Sequence, residues 1–133
     1  MLISEDSKLY KFVKEVLSIP DDKDGTFPLV HKWSRDKWGN LFWENENVKV
    51  VISKTCASIH NKDKHPYELE IRGKKGHPQD RKTFYYSSNE WPDGTSEMIK
   101  DLLDAYDIAR DEYYDFLEEE TQRKKMEYIE ALL

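Results

Sequence analysis

Apolar positions near the start of the chain recur with the period of an α-helix. In the segment SEDSKLYKFVKEVLSIP they follow the i, i+3, i+4, i+7, i+8 spacing that places side chains on one helical face. These positions are Leu9, Phe12, Val13, Val16 and Leu17. Ser4 is the candidate N-cap, and Pro20 lies beyond the end of the pattern. The sequence therefore predicts an N-terminal helix with one buried face.

From residue 41 to residue 88 the pattern changes to the alternation that is typical of β-strands. The strand-like runs are LFW, VKVVISKTCASI, YELEIR and RKTFYYSS, and the polar segments ENEN, HNKDKHP and GKKGHPQD separate them. Connections this short favour antiparallel neighbours, because parallel strands need longer crossovers. The sequence predicts a four-stranded antiparallel meander.

The last third of the chain predicts one long helix, with Asp93, Thr95 or Ser96 as its N-cap. Run unbroken to Leu133, it would be about 57 Å long, whereas a domain of this size is roughly 35 Å wide. Either the helix bends near Gln122, or residues 118–133 protrude as an interaction helix. We favour protrusion and a homodimer, formed through Met126, Ile129, Leu132 and Leu133.

Composition supports a single folded domain over residues 1–133. The charged fraction of 36% is high, but the aromatic fraction of 13% excludes a disordered chain, because such chains contain few aromatic residues. The predicted fold class is α+β, with both helices on one face of the sheet. No apolar run is long enough to span a bilayer, and the N-terminus lacks the pattern of a signal peptide. We expect a cytoplasmic protein that does not contact membranes.

Charge is distributed unevenly around the predicted C-terminal helix. The net charge is −6, and acidic residues occupy the arc opposite the apolar positions of this helix. The candidate partner-binding residues on this arc are Asp104, Asp107, Asp111, Asp115 and Glu118. Such a row of carboxylates could occupy the basic groove of a nucleic-acid-handling protein. The alternative is the ordinary solvated face of an amphipathic helix.

The stretch HKWSRDKWGNLFW contains Trp33, Trp38 and Trp43 among basic residues. One interpretation is a platform on which nucleic-acid bases stack, assisted by Lys32, Arg35 and Lys37. The other is a junction between the first helix and the sheet, with at least one indole left exposed for a partner protein. We favour the second interpretation, with Trp33 and Trp38 as the candidate contacts.

No residue pattern predicts a metal, a cofactor or a catalytic centre. The four histidines and the lone Cys56 lack zinc-ligand spacing, and the Asp21–Gly25 segment fails the register of a calcium loop. A small metal-dependent hydrolase at Glu68 and Glu70 is a further hypothesis. Alternating charges on the solvent face of any antiparallel strand look the same.

These features together favour a protein that works by binding. A small acidic α+β protein without an active site resembles, in general type, phage anti-defence inhibitors, including anti-CRISPR proteins, and bacterial immunity proteins that neutralise toxins. That resemblance implies a non-enzymatic, stoichiometric inhibitor of another protein, such as a nuclease or other nucleic-acid-binding effector. The alternative is a module that binds nucleic acid or a nucleotide signal directly, through the Trp33–Trp43 stretch and the central lysines.

Overall fold

The computed structural model describes residues 3–22, 25–54, 67–74, 83–87 and 91–133. The elements in chain order are α1 (Lys8–Leu17), α2 (Pro28–Lys32), β1 (Ser34–Arg35), β2 (Leu41–Glu44), β3 (Val48–Lys54), β4 (Tyr67–Gly73), β5 (Thr83–Ser87) and α3 (Thr95–Leu132). The predicted α+β fold, with its N-terminal helix, antiparallel meander and long C-terminal helix, is confirmed. The structure adds the short elements α2 and β1.

The sheet is an antiparallel meander in the order β1-β2-β3-β4-β5. Its register pairs Leu41 with Ile52 and Ile52 with Leu69, so these apolar positions share one face because strand side chains alternate. The reversal between β2 and β3 is closed by the Asn45 side chain, which accepts hydrogen bonds from the backbone N–H groups of Asn47 and Val48, both at 2.8 Å. Turn chemistry and strand pattern thus agree on the register.

The hydrophobic core lies between that inner face and the helices. It joins strand residues such as Val50 and Leu69 to Val13 of α1 and to Ile99 and Leu102 of α3. Both long helices therefore cover the same face of the sheet, as the sequence predicts.

The first helix begins later than its sequence pattern suggests. Ser7 is the N-cap, and its hydroxyl oxygen accepts a hydrogen bond from the Tyr10 N–H at 3.0 Å. Ser4, the predicted cap, instead closes the preceding turn, where its side chain accepts from the Asp6 N–H and its carbonyl from the Ser7 N–H. The prediction of Ser4 as the N-cap is wrong because the hydrogen-bond acceptors of Ser4 close the turn that precedes the helix.

The last helix is continuous from Thr95 to Leu132, and by its rise it is about 57 Å long. Its N-cap is Gly94, which has a left-handed backbone with φ of 92°, so none of the three predicted cap residues occupies that position. The helix is uninterrupted through Gln122, where the sequence allows a bend. Residues 114–133 are exposed, apart from the half-buried Glu120.

An aromatic cluster fastens the middle of α3 to the segment before α2. The Phe27 ring lies 5.3 Å from the Tyr113 ring and 5.6 Å from the Phe116 ring, and His31 lies 5.4 Å from Tyr113. Phe27 adopts a positive φ of 53°, which is uncommon for a bulky residue and costs conformational energy. The ring contacts offset that cost and fix the direction in which α3 leaves the sheet.

Candidate functional site

The three tryptophans of the aromatic stretch occupy three different environments. Trp33 is 0% exposed and belongs to the core, while Trp43 is half-buried with its ring 5.8 Å from that of Phe12. Trp38 is 73% exposed. Trp33 must therefore be withdrawn from the candidate partner contacts, because no surface of its indole reaches solvent. A base-stacking platform that uses all three indoles is likewise wrong because Trp33 is buried, and Trp38 is the most exposed tryptophan of the stretch.

A tight turn between β1 and β2 presents Trp38 to solvent. One carboxylate oxygen of Asp36 accepts hydrogen bonds from the N–H groups of Trp38 and Asn40, both at 2.9 Å. Gly39 takes a left-handed φ of 82°, a conformation that glycine adopts without steric cost. The segment DKWGN therefore forms a defined turn with Trp38 near its tip.

Arg35 ties this turn to the last helix. One guanidinium nitrogen donates to the Gly39 carbonyl at 2.8 Å, and another donates to the Asp107 carboxylate at 2.5 Å. The guanidinium also lies 5.4 Å from the centre of the Tyr106 ring, within the range of a cation–π contact. Arg35 is thus a positioning residue, whereas its sequence context indicates only a basic residue near the tryptophans.

The turn, the sheet and α3 enclose an open cleft of about 500 Å³. The exposed lining is mostly polar, although Leu41, Ile52 and Leu103 contribute apolar surface. The lining comprises Arg35, Trp38, Gly39, Asn40, Leu41, Ile52, Ser53, Tyr67, Leu103, Asp104 and Asp107. Two features that the sequence separates by 66 or more residues, Trp38 and the first acidic residues of the arc, therefore meet at one site.

The cleft has an acidic side that continues along α3. Asp104 forms no ion pair with any described residue, whereas Asp107 pairs with Arg35 and lies 3.9 Å from Arg110. Arg110 also lies 4.0 Å from Asp111. All five carboxylates predicted for partner binding are exposed, so a partner can reach this surface. Arg35 and Arg110 partly neutralise the negative charge of Asp107 and Asp111, which the sequence does not indicate.

The phenol of Tyr106 lies beneath the Arg35 side of the cleft and is buried. Burial raises its pKa above the ordinary value of 10.0, and the opposing charges of Arg35 and Arg110 only reduce this shift. Tyr106 therefore stays neutral through the physiological range and packs in the core, with its ring against the Arg35 guanidinium.

The hypothesis of a hydrolase concerns the opposite face of the sheet. Glu70 is nearly buried there, and the Arg72 Nε donates to its carboxylate at 2.7 Å, so this carboxylate is already paired with a guanidinium. Within the described residues, no three histidine, cysteine, aspartate or glutamate side chains cluster. Cys56 and three of the histidines, His60, His65 and His77, lie outside those residues, as do most of the central lysines.

The four residues predicted for oligomerisation all lie on the exposed end of α3. Met126, Ile129 and Leu132 are more than half exposed, and Leu133 is fully exposed. Among the helices of the described part of the chain, none has the length and apolarity needed to cross a bilayer.

Comparisons of this chain with protein-family models, with curated proteins and with solved structures find no match.

Proposed function

We propose that this protein binds another protein and inhibits it stoichiometrically, without catalysing a reaction of its own. The observation that carries the proposal is the meeting at one open cleft of exposed Trp38 and of Asp104, which forms no ion pair with any residue that the structure describes. The two residues come from separate elements, and the ion pair between Arg35 and Asp107 holds those elements together.

The chemistry of the cleft suits a cationic side chain of a partner. An exposed indole attracts a guanidinium or an ammonium group through its π-face, and Lys37 already lies 4.4 Å from the centre of the Trp38 ring. A carboxylate without an ion-pair partner, such as Asp104, would complete the recognition by a charge-assisted hydrogen bond. An arginine or lysine of a partner can therefore be held between the two.

Beyond the cleft, Asp111, Asp115 and Glu118 extend the acidic surface along α3. Successive carboxylates lie roughly one helical turn apart, about 5–6 Å, and so form a row of negative charge comparable to a phosphate backbone. A basic groove that normally holds nucleic acid is the complementary surface. We therefore favour a nuclease or another nucleic-acid-handling effector in the cytoplasm as the target. Anti-CRISPR proteins and toxin-immunity proteins are the types that act in this way.

Charge reversal on the cleft side of α3 tests the proposal. Capture from a lysate of the source cell is compared for the wild type, Trp38→Ala and the double variant Asp104→Lys/Asp111→Lys. Glu130→Lys serves as the control, because this exposed residue carries the same charge at the far end of the helix. We expect the partner to be lost from both cleft variants and kept by the control. Equal recovery with all four proteins would reject the cleft as the binding site.

Direct nucleic-acid or nucleotide binding is the second candidate, favoured by the neighbouring Lys37 and the exposed indole. Against it, Asp104 and Asp107 line the same cleft and would repel phosphate. Titration with single-stranded oligonucleotides and with nucleotides at low salt, followed by tryptophan fluorescence, separates the two candidates. Quenching that Trp38→Phe removes would favour this second function, and unchanged fluorescence would favour protein binding.

A further inference from the structure

The exposed half of α3 carries a second, independent surface. Three large side chains on one face of this segment are mostly exposed to solvent. They are Tyr114 at 59%, Tyr128 at 67% and Leu132 at 69%. With Glu118, Thr121 and Lys125 they are spaced alternately by four and three residues, as in the a and d positions of a coiled coil. A shallow groove lined by Thr121, Lys124, Lys125, Tyr128 and Ile129 follows the same face.

The opposite side of this segment is already satisfied within the chain. Arg123 pairs with Glu120 at 2.9 Å and with Glu127 at 2.7 Å. By contrast, Glu118 and Lys125, which lie on the face with the exposed tyrosines, form no ion pair with any described residue. The unused charges and the unused apolar area thus share one face.

The order of Glu118 and Lys125 along the helix indicates which kind of partner can bind this face. In a parallel pair of identical helices, Glu118 would face Glu118 and Lys125 would face Lys125, and like charges at such positions are unfavourable. In an antiparallel pair with its two-fold axis near Gln122, Glu118 of each copy lies beside Lys125 of the other. The same arrangement places Tyr114 of one copy near Leu132 of the other.

We propose that the exposed half of α3 pairs antiparallel with the same segment of a second copy of this chain. Of the four residues expected to form a homodimer, Leu132 belongs to this face of the helix and Ile129 lies beside it. Met126 and Leu133 lie further around the helix. The contact spans residues 114–132, roughly 27 Å of helix. A helix pair this short buries a surface area at the small end for a stable interface. The dimer is therefore concentration-dependent and weakened by salt. Glu118 belongs to this interface, which leaves Asp104, Asp111 and Asp115 available to another protein, while Asp107 stays paired with Arg35.

Sedimentation equilibrium of the full chain, over a range of concentrations and at low salt, tests the proposal with four variants. Glu118→Lys and Lys125→Glu each create like-charge contacts twice by symmetry, and each should weaken the dimer by about tenfold or more. The double variant Glu118→Lys/Lys125→Glu restores opposite charges only in the antiparallel arrangement and should dimerise like the wild type. Glu130→Lys, on the opposite face, should have little effect.

Far-UV circular dichroism confirms that each variant keeps its helix. A wild-type chain that stays monomeric at millimolar concentration overturns the proposal, as does a dimer that the single charge reversals leave unchanged. Failure of the double variant to recover would exclude the antiparallel arrangement. None of these results depends on the inhibited partner, so the dimer and the proposed function succeed or fail separately.

Discussion

Replacing Trp33 by alanine should destabilise the fold far more than replacing Trp38, although the sequence presents both in the same basic stretch. Trp33 is 0% exposed and Trp38 is 73% exposed. Truncating a buried tryptophan costs about 3–5 kcal/mol of unfolding free energy. Truncating an exposed tryptophan lowers the unfolding free energy by roughly 0.5 kcal/mol or less. A domain of ordinary stability has only about 5–15 kcal/mol to lose, so Trp33→Ala removes a large part of it.

Trp33→Phe refines the prediction. The Trp33 Nε1 atom is buried without a hydrogen-bond partner among the described residues, and an unsatisfied buried donor costs about 1–3 kcal/mol. Phenylalanine removes that donor and keeps most of the ring, so the loss of stability should be well under half of that in Trp33→Ala.

Urea unfolding followed by circular dichroism measures all three variants. The expected order of stability is wild type and Trp38→Ala together at the top, then Trp33→Phe, then Trp33→Ala. If Trp33→Ala and Trp38→Ala unfolded at the same urea concentration, the assignment of Trp33 to the core would be refuted, and with it the choice of Trp38 as the contact residue.

Three other sets of variants test local features of the structure. Ser7→Ala should cost about 1 kcal/mol by removing the N-cap of α1 and Ser4→Ala clearly less, as measured by urea unfolding; equal losses would contradict the cap at Ser7. A double-mutant cycle between Arg35 and Asp107 should give a coupling of about 0.2–1 kcal/mol that falls with added salt, and no coupling at low salt would contradict the tie between turn and helix. Because the pKa of Tyr106 is raised, the folded state keeps the phenol proton where the unfolded chain loses it. Stability should therefore fall as pH rises above about 10, and the fall should be shallower in Tyr106→Phe; an unchanged slope in this variant would contradict the shift.

The order of the main elements follows from local pattern. The helical period of α1 and the alternation of β4 are strong signals because each buries one face against the same core. The two-residue strand β1 and the five-residue helix α2 carry too few positions to show a period. Pro28 directly before the apolar pair Leu29 and Val30 is the one local sign of a helix start there.

The candidate site depends on contacts between distant parts of the chain, and these have no local signal. Nothing in HKWSRDKWGNLFW distinguishes Trp33 from Trp38, because burial is decided by where α1 and α3 pack on the sheet. The turn residues Asp36 and Gly39 do carry a recognisable pattern. The position of Asp104 beside that turn results from the docking of α3, which the ion pair of Arg35 with Asp107 helps to fix.

We propose that the cleft and the acidic face of α3 bind a protein rather than a nucleic acid. Affinity capture with the wild-type chain, from two halves of one lysate of which one is treated with nuclease, tests it most directly by mass spectrometry. We expect one protein to be recovered equally from both halves, and to be lost when Trp38→Ala/Asp104→Lys replaces the wild type. Recovery dominated by nucleic acid, or abolished by the nuclease, would show that the cleft binds nucleic acid instead.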